Sequence, residues 1–362
     1  RSDVSRTEEE VLAQIERRRR RGRHKLLDTH ITLAHGAGGT SSHALISAVF
    51  EPAVRNEALA PLADAAVLAA TGDARLAFTT DASVVRPLVF PGGDIAELAV
   101  NGTVNDLAML GARPLALSAA WVLEEGFPVA DLERLAASMG EAARAAGVPL
   151  VTGDTKVVER GKADGAYIVT TGVGAIAPGV DLGAQHIRPG DRVLVSGPLG
   201  DHGMAIMVAR GELDLETDLA SDTAPLHELV AALLAAGGGV RCLRDPTRGG
   251  LATVLNELAM AAEVGVVLDE AAVPVRPEVN GACEILGIDP LYVACEGKLV
   301  AVVAPEAVDA ALAALRAHPL GAQAAVVGEV REEPPGMVLL DTAFGGSRVV
   351  DMLAGDPLPR IC

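Results

Sequence analysis

Three aspartates sit where strands give way to turns: Asp81 after Phe78-Thr-Thr, Asp154 after Val151-Thr-Gly, and Asp245 before Pro246-Thr-Arg-Gly-Gly250. Carboxylates at neighbouring strand ends converge on the rim of a sheet, and together they could hold magnesium and through it a polyanion. Asp106 is a fourth candidate for a different reason. If 94–110 is one helix, positions 95, 98, 99, 102, 106 and 109 share a face. Ile95, Leu98, Ala99, Gly102 and Met109 make that face core-like and carry Asp106 inward, where a carboxylate needs a cation, a donor network or a cap role. Asp245 has an alternative as the N-cap of a helix with Pro246 at its first position, which leaves Gly249 and Gly250 unexplained unless a phosphate or another backbone comes close.

Other residues could complete such a site. The segment His35-Gly-Ala-Gly-Gly-Thr-Ser-Ser42 offers backbone N–H groups from Gly36, Gly38 and Gly39 to phosphate oxygens, or is an ordinary turn. Lys156, two residues beyond Asp154, suits a phosphate or leaving oxygen, or is a surface lysine. Glu296, just before an apolar strand, is a general base or a turn residue. Neither a Walker A loop nor a G-x-G-x-x-G fingerprint occurs, which disfavours a P-loop or a standard Rossmann site.

The elements that must position these residues alternate. Strands are expected over 76–80, 116–123, 150–152 and 167–173, and helices over 94–110 and 131–146. A Gly- and Pro-containing linker over 178–190 precedes a second cycle, with strands at 192–196, 264–268, 298–303, 324–330 and 337–340 and helices at 225–236, 251–262 and 306–316. This predicts an α/β (α+β) chain with an N-terminal arm over 1–30, a first domain over 31–177, a second over 190–345 and a flexible tail over 346–362 that carries Cys362.

With 362 residues, 50% of them apolar and only 2% aromatic, the core is built of small aliphatic side chains and little is left for base stacking. Net charge is −18 although the first 25 residues are basic, so the body repels nucleic acid and anionic membrane. The longest uncharged stretch, 29–50, contains three His among Gly, Ser and Thr and does not read as a membrane span; no secretory signal is expected. Four cysteines without a C-x-x-C pair fit the reducing cytoplasm.

Taken together, Leu33-Ala-His-Gly-Ala-Gly-Gly39, Thr79-Thr-Asp81, Phe90-Pro-Gly-Gly-Asp94, Asn101-Gly-Thr-Val-Asn-Asp106, Val151-Thr-Gly-Asp-Thr-Lys-Val-Val158, Gly200-Asp-His-Gly203, Arg244-Asp-Pro-Thr-Arg-Gly-Gly250, Glu296-Gly-Lys298 and Pro359-Arg-Ile-Cys362 span nearly the whole chain. The chain resembles the HypE family of hydrogenase maturation proteins, in the superfamily of aminoimidazole ribonucleotide synthetase, selenophosphate synthetase and thiamine monophosphate kinase. The resemblance implies a two-domain PurM-like architecture whose N-terminal domain carries a mixed sheet and forms a homodimer. It implies ATP-dependent dehydration of a carbamoyl group, carried on Cys362 as a thiocarboxamide, to a thiocyanate that supplies cyanide to the iron of [NiFe] hydrogenase. By the same resemblance Asp81, Asp106 and Asp154 bind magnesium and ATP, Asp245 and the glycine loop contribute around the phosphates, Lys156 counters charge and Glu296 is the candidate base. A HypF-like carbamoyltransferase would be the donor and a HypC–HypD-like complex the acceptor. A selenophosphate synthetase would need a reactive residue near its start, and no cysteine precedes Cys242; a non-catalytic scaffold presenting Cys362 is the other alternative.

Overall fold

Runs in which every second residue is apolar build the first half of the molecule, because strand side chains alternate between a covered face and an open one. The computed structural model describes residues 30, 32–36, 39–50, 60–70, 75–211, 217–353, 358 and 360–362. All of the expected arm except His30, together with Gly38, lies outside the described residues. Helix α1 (Thr40–Leu45) is followed by strands β1 (Ala66–Ala69) and β2 (Arg75–Ser83), the short pair β3 (Val89–Phe90) and β4 (Gly93–Asp94), and helix α2 (Ile95–Met109). Strand β5 (Ala112–Glu124), helix α3 (Val129–Ala145) and strands β6 (Leu150–Val158) and β7 (Ala166–Ile176) complete a five-stranded sheet of order β1-β2-β7-β5-β6. It is mixed, since β5 and β6 are parallel while the other neighbours are antiparallel.

The second half contains β8 (Arg192–Val195), α4 (Asp201–Ala209), α5 (His227–Ala235), β9 (Val240–Arg244), α6 (Gly250–Ala262), β10 (Gly265–Asp269), α7 (Pro277–Leu286), β11 (Val300–Val303), α8 (Val308–Ala317), β12 (Ala325–Arg331), β13 (Met337–Asp341) and β14 (Ser347–Val350). Its seven strands run in the order β14-β13-β10-β12-β8-β11-β9. Strand β14 pairs with β13 inside the stretch expected as tail. No helix among the described residues is long and apolar enough to cross a membrane.

Helix α2 is the axle between the halves. The Asp94 carboxylate accepts from Ala96 N at 2.8 Å and Glu97 N at 3.0 Å, which starts the helix as an N-cap. The sequence suggests one core-facing stripe, yet every residue of α2 except Glu97 and Asp106 is buried. The reason is packing on all sides: β2, β5, β7 and α3 lie against it from the first half, and α5 and β9 from the second. Asn101 Nδ2 donates to Thr223 Oγ1 at 3.2 Å, and Asn105 donates to the carbonyls of Ala224 and Glu296 at 3.1 Å while accepting from Leu226 N at 2.7 Å. These buried amides weld the two halves together next to Asp106, one of the two α2 residues that are not fully covered.

Candidate active site

Asp106 is the centre of a carboxylate cluster. Thr79 on β2 donates its hydroxyl to Asp106 Oδ2 at 2.7 Å, and the same hydroxyl lies 3.0 Å from the Asp64 carbonyl. Asp81, two residues along β2 and so on the same face, puts Oδ2 only 2.9 Å from where a side chain on Gly102 would begin. Arg244 at the end of β9 meets Asp64 at 2.8 Å and Glu257 of α6 at 2.8 Å, and Glu257 in turn lies 3.1 Å from His43 Nε2 on α1. Burial pushes all four aspartates of the cluster up: Asp64 to about 8, Asp245 to about 6, Asp81 above its usual value, and Asp106 well above, with Asp245, Asp81 and Asp64 adding repulsion.

Carboxylates whose proton affinity burial raises even beside Arg244 and Arg248 are oxygen donors of the kind a hard divalent cation takes. Among the described residues no group of three or more His, Cys, Asp or Glu could hold a metal ion by itself. The set therefore suits a cation whose remaining oxygens come from a phosphate ligand and water.

The end of the chain is docked beside this cluster. Arg248, in the turn before α6, donates from Nε to Cys362 Sγ at 3.1 Å and from its other arm to the Cys362 carbonyl. Glu296 and Asp81 are the acidic neighbours of the thiol, which burial holds well above its usual range despite Arg248. Glu296 is buried, its Oε1 has no hydrogen-bond partner among the described residues, and burial, then Asp81 and Asp245, push its carboxyl well up. Its backbone N–H donates to Asp222 Oδ1 at 3.0 Å, and Lys298 Nζ donates to Asp222 Oδ2 at 2.9 Å. The three final carbonyls all have donors: that of Arg360 accepts from Arg86 N at 3.2 Å and from the Arg210 side chain, that of Ile361 from His202 Nε2 at 2.9 Å, and that of Cys362 from Arg248. Leu358 and Ile361, in the stretch expected as a flexible tail, are buried, while Arg360 between them is exposed.

Asp154 and Lys156 are elsewhere. They were expected past a strand end, but β6 continues through both, and they pair with each other at 2.5 Å with their side chains about two-thirds exposed. The register runs Asp81 to Thr170 to Ala119 to Gly153, so Asp154 is one residue out of phase with Asp81 and on the opposite face of the sheet. Three strand spacings, about 14 Å, also separate them. One chain therefore does not unite the expected magnesium trio of Asp81, Asp106 and Asp154.

Asp81 likewise lies inside a strand, not after one. Asp245 is not a helix cap: α6 starts at Gly250 with Gly249 as its N-cap, and both glycines have positive φ, 78° and 60°. A side chain on Gly250 would begin 2.5 Å from the Leu291 carbonyl and 2.8 Å from that of Val293, so another backbone, not a helix start at Asp245, demands the glycine there. In the glycine-rich segment, Gly36 ends a short 3-10 turn and Gly39 precedes α1. Thr40 N donates to the Leu353 carbonyl at 3.0 Å, an approach that a side chain on Gly39 would block.

Arg248, His202, Asp64, Asn105 and Asp222 are the site residues that residue-type reasoning passed over. Arg248, His202 and Asn105 lie inside motifs quoted above, but their partners are remote in sequence; nothing in the sequence marks Asp64 or Asp222.

Comparison with known proteins agrees with this geometry. The N-terminal domain of AIR synthase related protein matches 62–176, and its C-terminal domain matches 188–340. The carbamoyl dehydratase HypE of Cupriavidus necator is 56% identical over 332 residues, covering 92% of this chain and 95% of that protein. A crystal structure of the hydrogenase maturation protein HypE in complex with ATP is 48% identical with a TM-score of 0.77, over 92% of this chain and all of that one. A HypE–HypF complex gives 46% identity and a TM-score of 0.81, over 86% of this chain and all of that one. A two-domain AIR synthase-related fold that ends in a docked cysteine, and such identity over nearly its full length, make the chain a member of the carbamoyl dehydratase HypE family.

Proposed function

We propose that the chain dehydrates a carbamoyl group carried as a thiocarboxamide on Cys362 to a thiocyanate, using ATP, and so supplies the cyanide ligand for [NiFe] hydrogenase assembly. The observation that carries this is the position of the terminal thiol, gripped by Arg248 beside Glu296 and the carboxylate cluster. An amide oxygen is a very poor leaving group, so a nitrile requires that it first become a phosphate ester. The thiocarboxamide oxygen attacks the γ-phosphorus in line, the bond to ADP breaks, and one N–H proton leaves. The C–O bond then breaks, phosphate departs with the oxygen, the second N–H proton goes to a base, and S–C≡N remains. Glu296 is our candidate for that base: buried carboxylates with raised pKa make strong bases once deprotonated.

Asp81, Asp106 and Asp245 would hold magnesium together with the nucleotide phosphates; when bound, the ion neutralises charge on the transferring group. Gly36 and Gly39 would lie against those phosphates. Asp154 and Lys156 fit the same chemistry in a homodimer, because they stand on the open face of the first sheet, where Leu68, Phe78 and Val169 are also exposed. In such a dimer the open faces would meet and bring Lys156 toward a site that one chain leaves incomplete. A HypF-like carbamoyltransferase would load the sulfur and a HypC–HypD-like complex would take the cyanide, in the cytoplasm, with the first domain over 31–177 and the second over 190–345.

The test is mass spectrometry of the C-terminal peptide after incubation with a carbamoyl donor system. The expected result is an adduct on Cys362 that loses one water, about 18 Da, only with ATP, because phosphoryl activation removes the oxygen. Loss without ATP, or an adduct that never loses water, would overturn it.

A further inference from the structure

The Gly200-Asp-His-Gly203 motif has no part in the chemistry above, yet His202 is fully buried and touches the tail. Its ring stands edge-on to Phe90 with centroids 5.6 Å apart and has two polar contacts, Nε2 with the Ile361 carbonyl at 2.9 Å and Nδ1 with Ser221 Oγ at 2.7 Å. A carbonyl only accepts, so Nε2 carries the proton. Burial keeps the ring neutral, so Nδ1 carries none and accepts from the Ser221 hydroxyl. Ser221 Oγ in turn accepts from Thr223 N at 3.1 Å. The relay is thus directed from Thr223 through Ser221 and His202 to the tail.

The segment that anchors this relay also fixes the proposed base. Asp222, between Ser221 and Thr223, accepts the Glu296 backbone N–H and the Lys298 ammonium, and Thr223 Oγ1 accepts from Asn101 of α2. One three-residue stretch therefore has a hand on the residue before Cys362 and another on Glu296.

We propose that His202 is a positioning residue for the dehydration: by holding the Ile361 carbonyl from the 221–223 segment, it sets the Cys362 sulfur and its cargo in register with Glu296. This rests on the function proposed above. Removing the Nε2–H donor loosens the last two residues, which Arg248 and the buried Ile361 side chain still hold, while leaving the carboxylate cluster as it is.

The experiment uses the full chain, His202→Phe, which keeps the ring against Phe90 without a donor, and His202→Gln, whose amide N–H can reach the same carbonyl. Two quantities are read: the alkylation rate of Cys362 in the C-terminal peptide, with buried Cys242, Cys283 and Cys295 as internal controls, and the single-turnover rate of water loss from the carbamoylated tail. Loss of one buried hydrogen bond predicts a rise of about three- to tenfold in Cys362 alkylation for His202→Phe. Water loss should slow by at least as much while ATP binding is unchanged, and His202→Gln should return both rates to within about twofold of the parent. Parent rates in His202→Phe, or failure of folded His202→Gln to restore them, would overturn the proposal. Should His202→Phe not fold, Ser221→Ala carries the test: without the hydroxyl at Nδ1 the ring loses the contact that ties it to the 221–223 segment, so Cys362 alkylation should rise, and no rise overturns the proposal. If the unaltered chain loses no water at all, the dehydratase function fails, while the alkylation rates still decide whether His202 holds the tail.

Discussion

Arg248 reaches Cys362 with two arms of one guanidinium, Nε to the sulfur at 3.1 Å and Nη2 to the carbonyl of the same residue. A planar fork can satisfy both at once, whereas a lysine ammonium on its flexible stem would have to choose. Arg248→Lys should retain part of this grip on Cys362 and Arg248→Ala none. Dehydration by Arg248→Ala should fall by about tenfold or more, the loss expected for one or two charge-assisted hydrogen bonds. Single-turnover kinetics of the carbamoylated tail measure it, and equal rates for Arg248→Ala and the parent would rule out a role for the fork.

Asp106 gives a prediction in which stability and activity part company. Its carboxyl is held well above its ordinary range by burial and by Asp245, Asp81 and Asp64. Asp106→Asn keeps the shape and still accepts from Thr79 Oγ1 through its amide oxygen, while the cost of burying and protonating a carboxyl disappears. Thermal unfolding should therefore occur at the same or a higher temperature while ATP turnover is lost. A variant that unfolds several degrees lower would show that Asp106 is charged and structurally required, contrary to the cluster described above.

Much of this was legible in the sequence, and the failures have physical causes. Helix α2 announced itself through its apolar spacing, and the oddity of Asp106 within it was visible for the same reason, whereas the cap at Asp94 emerged only from the structure. Strand β6 was cut short because an edge strand exposed along almost its whole length carries no buried alternation to read, so Asp154 and Lys156 looked like a strand end when they lie within the strand. Arg248 and His202 were visible only as motif letters. Their partners lie 114 and 159 residues away, and no local pattern encodes a contact that the docked chain end creates.

A pH effect follows from Asp201, the first residue of α4. Burial, and then Asp222, raise its carboxyl from 3.8 to about 6, while Arg276 at 3.2 Å and Lys298 oppose and Glu278 adds to the rise. A raised acid binds more protons folded than unfolded, so its contribution to stability is present below pH 4 and is lost as pH rises from about 4 to about 6. Screening through the half-exposed Arg276 reduces this to of order 2 kcal/mol. The difference in unfolding temperature between the parent and Asp201→Asn should shift by a few degrees against the parent across that interval and stay flat above it. A difference that favours the parent as pH rises would mean that Arg276, not burial, governs Asp201.

Gly102 tests how closely the helix must approach the acidic cluster. A glycine inside a helix costs about 1 kcal/mol relative to alanine, and α2 is otherwise well made, so local propensity alone favours Gly102→Ala. The added methyl would begin 2.9 Å from Asp81 Oδ2, closer than atoms settle, and the carboxylate is the group able to yield. The helical gain offsets the displacement, so the unfolding temperature should change by no more than about 2 °C in either direction. The same displacement moves Asp81 relative to Asp106 and to the sulfur of Cys362, so dehydration should fall by on the order of tenfold, less than the roughly 100-fold that a misplacement of 1 Å produces at a reacting centre. Full activity in Gly102→Ala would show that Asp81 tolerates movement and is not held in place for the chemistry.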